Sequence, residues 1–428
     1  MTNGSPARLI ITFTIPLILG NLFQQFYSMV DTMIVGRFLG KTSLAAVGST
    51  GSLNFLIIGF CLGLCSGFAI PIAQQFGAKD YETLRRYVGN IVWLSIVSSV
   101  ILTFLTVIFC RPMLIAMQTP ADIIDEAYTY IVIIFAGIPA TFFYNILASL
   151  LRSLGDSRTP VLFLVLASII NIGLDLLLIL VIPMGVAGAA VATVVSQLVS
   201  GIACFLFIGK KFDILRISKQ ELSFRSLLSR RLLGTGVPMG LQFSITAVGS
   251  IILQASVNTL GSSIVASVTA SNKIFLLFAC VFDAMGVSIA TYGGQNIGAG
   301  KINRLNPGLK AAMVLGAGYS ILSLVILIFI GRPLVYLFVD AAEVQIISDA
   351  YQFLITCAVF FVALAAVDVF RSLIQGMGYS KIAVFSGVFE MIARGITGLF
   401  LVPLLGFPAA CFASPIAWIM ADFFLIPI

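Results

Sequence analysis

The sequence predicts an all-α integral membrane protein: twelve transmembrane helices in two six-helix lobes related by a pseudo-two-fold axis along the membrane normal. Three observations carry this. Of the 428 residues, 60% are hydrophobic and 10% charged, and the mean hydropathy is +1.11, which excludes an ordinary soluble protein. The apolar residues fall into about twelve stretches near or above the ~20 residues that cross a bilayer. Landmarks of the first half also recur in the second at separations of 221–223 residues.

Taken in order, the expected spans are 9–35, 44–74, 87–110, 128–151, 159–182 and 186–209, then 232–258, 263–293, 309–330, 350–374, 382–403 and 408–428. The first contains Pro16 and Asp31 and is too long for a cleavable signal. The second carries Gly59, Gly63 and Gly67 at four-residue spacing, a small-residue stripe that lets helices approach closely. The sixth opens on Gly185-Val186-Ala187-Gly188 in the same manner. The polar, basic stretch 210–231 reads as a cytoplasmic linker between an N-lobe (1–209) and a C-lobe (232–428). The last span runs to residue 428, so any tail is expected to be missing or very short.

The repeat rests on matched landmarks. Pro16 pairs with Pro238, and Gln74-Gln75-Phe76-Gly77-Ala78 with Gln295-Asn296-Ile297-Gly298-Ala299. Arg111-Pro112 pairs with Arg332-Pro333, Gly155 with Gly378, and Gly185 with Gly406. Chance similarity between apolar stretches does not hold such a register. An even number of spans per copy makes both copies enter from one side, which predicts a central cleft between two rocking bundles.

Basic residues orient the chain. With the N-terminus inside, one set of loops receives 18 lysines and arginines, Arg371 among them, and the opposite set receives only Arg37, Lys41, Arg111 and Arg332. The positive-inside rule puts both termini in the cytoplasm. The net charge of +7 is then topology and contact with anionic lipid; no basic domain supports a nucleic-acid partner. The seven cysteines are scattered and the chain has no histidine, so Cys61 and Cys65, one turn apart, read as small apolar residues rather than metal ligands.

Two aspartates stand inside otherwise uncharged apolar segments. A carboxylate in a span costs roughly 2.5–3.5 kcal/mol on insertion scales and is a functional candidate by default. At ~1.5 Å per residue, Asp31 lies about 9 Å below the outer end of span one, Asp175 about 12 Å below that of span five, and Thr193 about 12 Å down span six. Asn171 and Asp175 are four residues apart and share a helix face. Three helices thus place oxygen-bearing side chains at similar depth in one lobe, while the second copy carries Leu253 and Gly398 at the aspartate positions. Two desolvated carboxylates near one another do not both ionise easily, so such a group, if it converges, exchanges a proton or holds Na⁺. The other account has each aspartate satisfied locally and merely stiffening the bundle.

Together these residues resemble a known family. Val30-Asp31-Thr32-Met33-Ile34-Val35-Gly36-Arg37, Leu44-Ala45-Ala46-Val47-Gly48, the two Gln-rich loops, Arg152-Ser153-Leu154-Gly155-Asp156-Ser157 and Asn171-Ile172-Gly173-Leu174-Asp175 look like the multidrug and toxic compound extrusion (MATE) transporters. The match covers nearly the whole chain. It implies twelve helices in two lobes, and export of amphipathic, often cationic drugs in exchange for H⁺ or Na⁺, with no other cofactor. It also implies that the ion site of such members falls on Asp31, Asn171, Asp175 and Thr193, and that Pro16 is the helix-one proline associated with bending. Relatives that use helices seven and ten instead find no acid in span seven here, and Asp368 is about one turn from the expected place in span ten.

Other charges lie within spans. Lys273 is roughly 16 Å into span eight, and Glu390 and Arg394, four residues apart near the middle of span eleven, are expected to neutralise each other. Asp283 and Asp368 read as nearer the cytoplasmic ends and hydrated; Asp422 receives no role. A cleft for flat apolar cations uses aromatics and methionines; Gln24, Tyr27 and Met33 on span one and Phe142, Tyr144 and Asn145 on span four are its candidates, with Lys273, Glu390 and Arg394 as second-lobe lining. The reading is a monomeric, non-enzymatic antiporter of a prokaryotic inner membrane. A flippase for lipids or lipid-linked sugars is the alternative, and a polytopic enzyme has no histidine, metal signature or serine–base constellation to rest on.

Overall fold

The computed structural model describes residues 1–340 and 342–428 of the chain, nearly all of them helical. The first copy consists of α1 (Pro6–Phe38), α2 (Lys41–Ser49), α3 (Gly51–Ala78), α4 (Tyr81–Ala116), α5 (Ile124–Ala136), α6 (Ile138–Ser153), α7 (Arg158–Leu176) and α8 (Val186–Lys211). The second consists of α9 (Ser226–Asn258), α10 (Ser262–Gly298), α11 (Leu305–Val335), α12 (Val344–Val359), α13 (Phe361–Gly376), α14 (Ser380–Ile396), α15 (Val402–Leu405) and α16 (Phe407–Leu425). Among the described residues ten helices are long and apolar enough to cross a membrane, and twelve spans result when each of two bent pairs counts as one.

Those bends are where the sequence reading was coarse. Spans four and ten are each two helices, α5 with α6 at 47° and α12 with α13 at 50°. Gly137 sits at the first break, where a Cβ would stand 2.2 Å from Val194 Cγ2 on α8, so only glycine fits. Span 44–74 is also interrupted, at Thr50, where Ser49 and Thr50 turn their hydroxyls onto the Ala46 and Val47 carbonyls at 2.8 and 2.7 Å. Such hydroxyls compete with the backbone ladder, and Gly48 and Gly51 weaken it on either side. The linker between α8 and α9 is confined to 212–225, with one 3-10 turn at Asp213–Leu215, because α9 begins almost two turns before the apolar stretch.

The backbone repeats with the sequence. α7 and α14 both end in a π-helical turn, Leu177–Val181 and Thr397–Leu401. Gly185 (φ 61, ψ −143) and Gly406 (φ 66, ψ −142) then start the following helix in one and the same left-handed conformation, which β-carbons disfavour.

The chain forms two compact units, Leu19–Gly240 and Met1–Ile18 together with Leu241–Ile428. Both boundaries fall two residues past a helix-interior proline, Pro16 in α1 and Pro238 in α9. A prolyl nitrogen cannot donate to the carbonyl four residues back, so the helix is weakest there. Each unit therefore takes one part of α1 and one part of α9, an exchange of helix ends absent from the lobes read as 1–209 and 232–428.

In the Leu19–Gly240 unit a continuous core joins Val35, Leu64, Phe68, Tyr87, Phe135, Phe142 and Leu151. Here α3 meets α9 at glycine: a Cβ on Gly67 would lie 2.4 Å from Gly236 Cα, and one on Gly63 2.5 Å from the Met239 carbonyl oxygen. The linker docks on α4 in this unit. Arg85 Nε donates to Glu221 Oε1 at 2.5 Å and Trp93 Nε1 to the Leu222 carbonyl at 2.8 Å. Asn90 Oδ1 accepts from Arg225 N and Ser229 Oγ at 2.8 and 3.0 Å. The Ser218 amide and the Arg85 guanidinium hold the Glu221 carboxyl down at about 2, so this pair stays charged near neutral pH. Asp80 caps α4 by accepting from the Thr83 amide at 3.0 Å.

In the other unit, Phe275 stacks on Trp418 with ring centroids 6.0 Å apart, and Phe282 and Phe361 complete an aromatic core. The start of the chain lies along α10: Ser288 Oγ donates to the Ile10 carbonyl at 3.3 Å, and Lys301 and Arg304 donate to the Thr2 and Gly4 carbonyls at 3.0 and 2.7 Å. In both units large apolar side chains such as Phe104, Ile169, Phe329 and Leu404 point outward, as a bilayer requires.

The α3–α9 contact is directly testable. Gly67→Val should lower stability by on the order of 1–3 kcal/mol or more, read as a fall in the thermal unfolding midpoint in detergent. An unchanged midpoint contradicts the close approach.

Candidate functional site

Within the Leu19–Gly240 unit, α1, α7 and α8 bring the four first-copy residues together. Asn171 and Asp175 lie one turn apart on α7 and are 1% and 0% exposed; Asp31 on α1 and Thr193 on α8 are half-buried. Thr193 Oγ1 donates to the Ala189 carbonyl at 3.1 Å, which leaves its lone pairs for Asn171 Nδ2 at 3.4 Å. The Asp31 and Asp175 carboxylates lie within hydrogen-bonding reach of each other. The π turn that follows Asp175 sits where such turns re-aim side chains at functional sites.

The pocket has acceptors and lacks donors. Asp31 Oδ1, Asn171 Oδ1 and both Asp175 oxygens are buried without a hydrogen-bond partner. Two carboxylates face to face have nothing to donate to one another until a proton is shared or a small cation lies between them. Tyr27 on α1 and Tyr130 on α5 are close enough for both carboxylates to act on them electrostatically. Tyr27 was a cleft candidate; Tyr130 escaped the sequence reading, because one tyrosine in Tyr128-Thr129-Tyr130-Ile131-Val132-Ile133 looks like ordinary packing.

The second copy keeps the contact and discards the charge. A Cβ on Gly398, which stands where the first copy has Asp175, would be 3.4 Å from the Cα of Leu253, the counterpart of Asp31. The two helices therefore touch at matching places in each copy, with carboxylates in one and apolar atoms in the other.

The remaining candidates separate. Gln24 and Met33 are exposed on α1, Met33 to 66%. Asn145 is half-buried and donates to the Thr141 carbonyl at 2.8 Å, one turn back. Phe142 and Tyr144 are corrected from cleft to core: both are buried, and the Tyr144 hydroxyl donates to the Pro160 carbonyl at 3.0 Å, pinning α6 to α7. Lys273 is exposed and has no ion pair among the described residues.

In the second copy Glu390 and Arg394 do pair, at 3.2 Å, yet they belong to a larger network. Arg371 Nη1 binds Glu390 Oε1 at 2.8 Å, and its Nη2 binds Asp368. Two expectations are thereby overturned. Asp368 is 5% exposed and ion-paired rather than hydrated, and Arg371, expected in a cytoplasmic loop, is half-buried within α13, where its carboxylate partners are. Asp283 is exposed.

Tyr144→Phe should cost about 1 kcal/mol of stability, the worth of one buried hydrogen bond, while leaving substrate affinity unchanged. Altered affinity at an unchanged unfolding midpoint would return Tyr144 to the cleft.

Comparison with known proteins places this geometry in context. The family model described as MatE matches residues 16–177 and 238–401, one segment in each copy. The probable multidrug resistance protein YoeA of Bacillus subtilis is 29% identical over 78% of this chain and 74% of its own length. The FAD transporter of Shewanella oneidensis is 24% identical over 82% of this chain and 78% of its own. A crystal structure of MATE in complex with MaL6 superposes with a TM-score of 0.92 at 24% identity, over 99% of this chain and 95% of that one.

Proposed function

The chain belongs to the MatE family of multi-pass membrane transporters, and on that premise we propose that it is a secondary active exporter. It couples inward movement of H⁺ or Na⁺ through the Asp31–Asp175 pocket to efflux of amphipathic, often cationic compounds. The observation that supports this reading most is the meeting of two carboxylates, an amide oxygen and a hydroxyl in one pocket with no donor for four of the oxygens. A structural role alone predicts the opposite, since buried carboxylates kept for stability are paired or hydrogen-bonded.

Coupling follows from differential binding. Asp31 lies on α1, whereas Asn171, Asp175 and Thr193 lie on α7 and α8. A cation held between them ties α1 to those helices, and its departure leaves like charges that push apart. A ligand shifts a two-state equilibrium only by its unequal affinity for the two states, so cation and substrate drive the cycle when each favours a different α1 position. Pro16 and Pro238, at the unit boundaries, are where α1 and α9 yield most easily. The protein would sit as a monomer in a prokaryotic inner membrane with both termini cytoplasmic, as its basic loops favour. The relatives' names extend to drugs and to FAD; the exposed Gln24 and Met33 and the half-buried Tyr27 on α1 suit a flat amphipathic substrate.

The test uses inverted vesicles and ethidium as the probe. Uptake driven by a proton or a sodium gradient, each imposed alone, should appear with one of them and vanish in Asp31→Asn and Asp175→Asn. Wild-type uptake in both variants, or uptake indifferent to either gradient, contradicts the assignment.

A further inference from the structure

The buried charges of the second copy do not balance. α13 contributes Asp368 and Arg371, α14 contributes Glu390 and Arg394, and α16 contributes Asp422. Arg371 spans Asp368 and Glu390, and Arg394 takes the second oxygen of Glu390. Arg371 is thereby committed to two carboxylates, Arg394 is committed to one through Nη2 while its Nη1 stays buried without a partner, and Asp422 pairs with neither. It is 8% exposed, and its Oδ1 is buried with no hydrogen-bond partner.

Asp422 is not isolated from the network. The charges that reach it are those of Asp368 and Arg371 from α13 and Glu390 from α14. Of the other segments packed on α16, the π turn Thr397–Leu401 and α15 contain no ionisable residue. α12 carries Tyr351 besides Asp349 and Cys357, the last two near Cys411, three turns from Asp422. α10, whose Phe275 stacks on Trp418, carries Lys273, Cys280, Asp283 and Tyr292. Two nearby carboxylates repel an ionised Asp422 while the one nearby guanidinium is already engaged. Leaving a buried carboxylate uncompensated is strongly unfavourable. A single bound proton is enough to neutralise such a carboxylate without any further ligand.

We propose that Asp422 is a proton-carrying site of the second copy, separate from the Asp31–Asp175 pocket. The step is simple: the carboxylate takes a proton from water to become a neutral acid and returns it when the Arg371 network rearranges. Asp283 on α10, exposed and within electrostatic reach of Asp368 and Arg371, supplies the wet end of the cluster. The inference stands whether or not the first-copy pocket drives transport. If both do, one cycle moves more than one positive charge.

The chain carries its own reporter. Trp418 lies one turn before Asp422 on α16, 3% exposed and stacked on Phe275, and the other tryptophan is Trp93 on α4. In a Trp93→Phe background in nanodiscs, Trp418 emission should show a single-proton transition with pH that is the same in sodium and choline buffers. Adding Asp422→Asn should abolish the transition, whereas Asp422→Glu and Asp175→Asn should retain it. A parent protein without a transition, a transition that follows sodium instead of pH, or one that survives Asp422→Asn overturns the proposal. Loss of ethidium transport in Asp175→Asn with the Trp418 transition intact distinguishes the two sites. If Asp422→Asn does not fold, Asp422→Glu decides: the midpoint of the Trp418 transition should move with the changed carboxyl, and an unmoved midpoint overturns the proposal.

Discussion

Buried hydrogen-bond acceptors that outnumber their donors constrain the rest of this molecule. Around Asp31, Asn171, Asp175 and Thr193 the Asn171 amide donates to Thr193 while the Thr193 hydroxyl is spent on the Ala189 carbonyl, which leaves four oxygens without a partner. Leaving a neutral buried group unmatched costs about 1–3 kcal/mol, and a charged one more. Apolar packing elsewhere in the unit holds α1, α7 and α8 in place despite this cost, and under the proposed function a cation is the missing partner. On that proposal the position of α1 would depend on occupancy, which is the physical content of coupling.

Comparison of the two copies shows which features belong to the scaffold and which to chemistry. Paired π turns, paired left-handed glycines at 185 and 406, paired bends near 137 and 360 and paired prolines are backbone devices, and they recur. The ionisable groups do not recur. Where the first copy has Asp31 against Asp175, the second has Leu253 against Gly398, and its charges gather instead on α13, α14 and α16. Duplication preserved the packing surfaces because close helix approach tolerates little change in volume, while the polar groups were free to move.

Much of this was legible in the chain. Span number, the repeat and the Asn171–Asp175 face follow from hydropathy, register and helical spacing, all local properties. What was not legible is set by partners distant in sequence. Arg371 sits at the end of an apolar stretch and looks like a loop cation until Asp368 and Glu390 are seen around it. Tyr144 looks like an aromatic cleft residue until its hydroxyl is found on Pro160, and Tyr130 stands in an apolar run with nothing local to mark it. The breaks at Gly137, Phe360 and Thr50 lie inside stretches whose hydropathy is uninterrupted. Exchange of helix ends between the units has a sequence mark, Pro16 and Pro238, but its consequence depends on what each half-helix packs against.

Infrared difference spectroscopy of the Asp31 and Asp175 carboxyl groups tests the shared pocket most directly. With aspartate isotope-labelled and sodium absent, acidifying the membrane-embedded protein should raise a carboxylic-acid stretch that disappears in Asp31→Asn and equally in Asp175→Asn, because one proton belongs to both groups. If each single variant keeps the band of the remaining aspartate unchanged, the two carboxylates titrate independently and the pocket is not a single cation-binding unit.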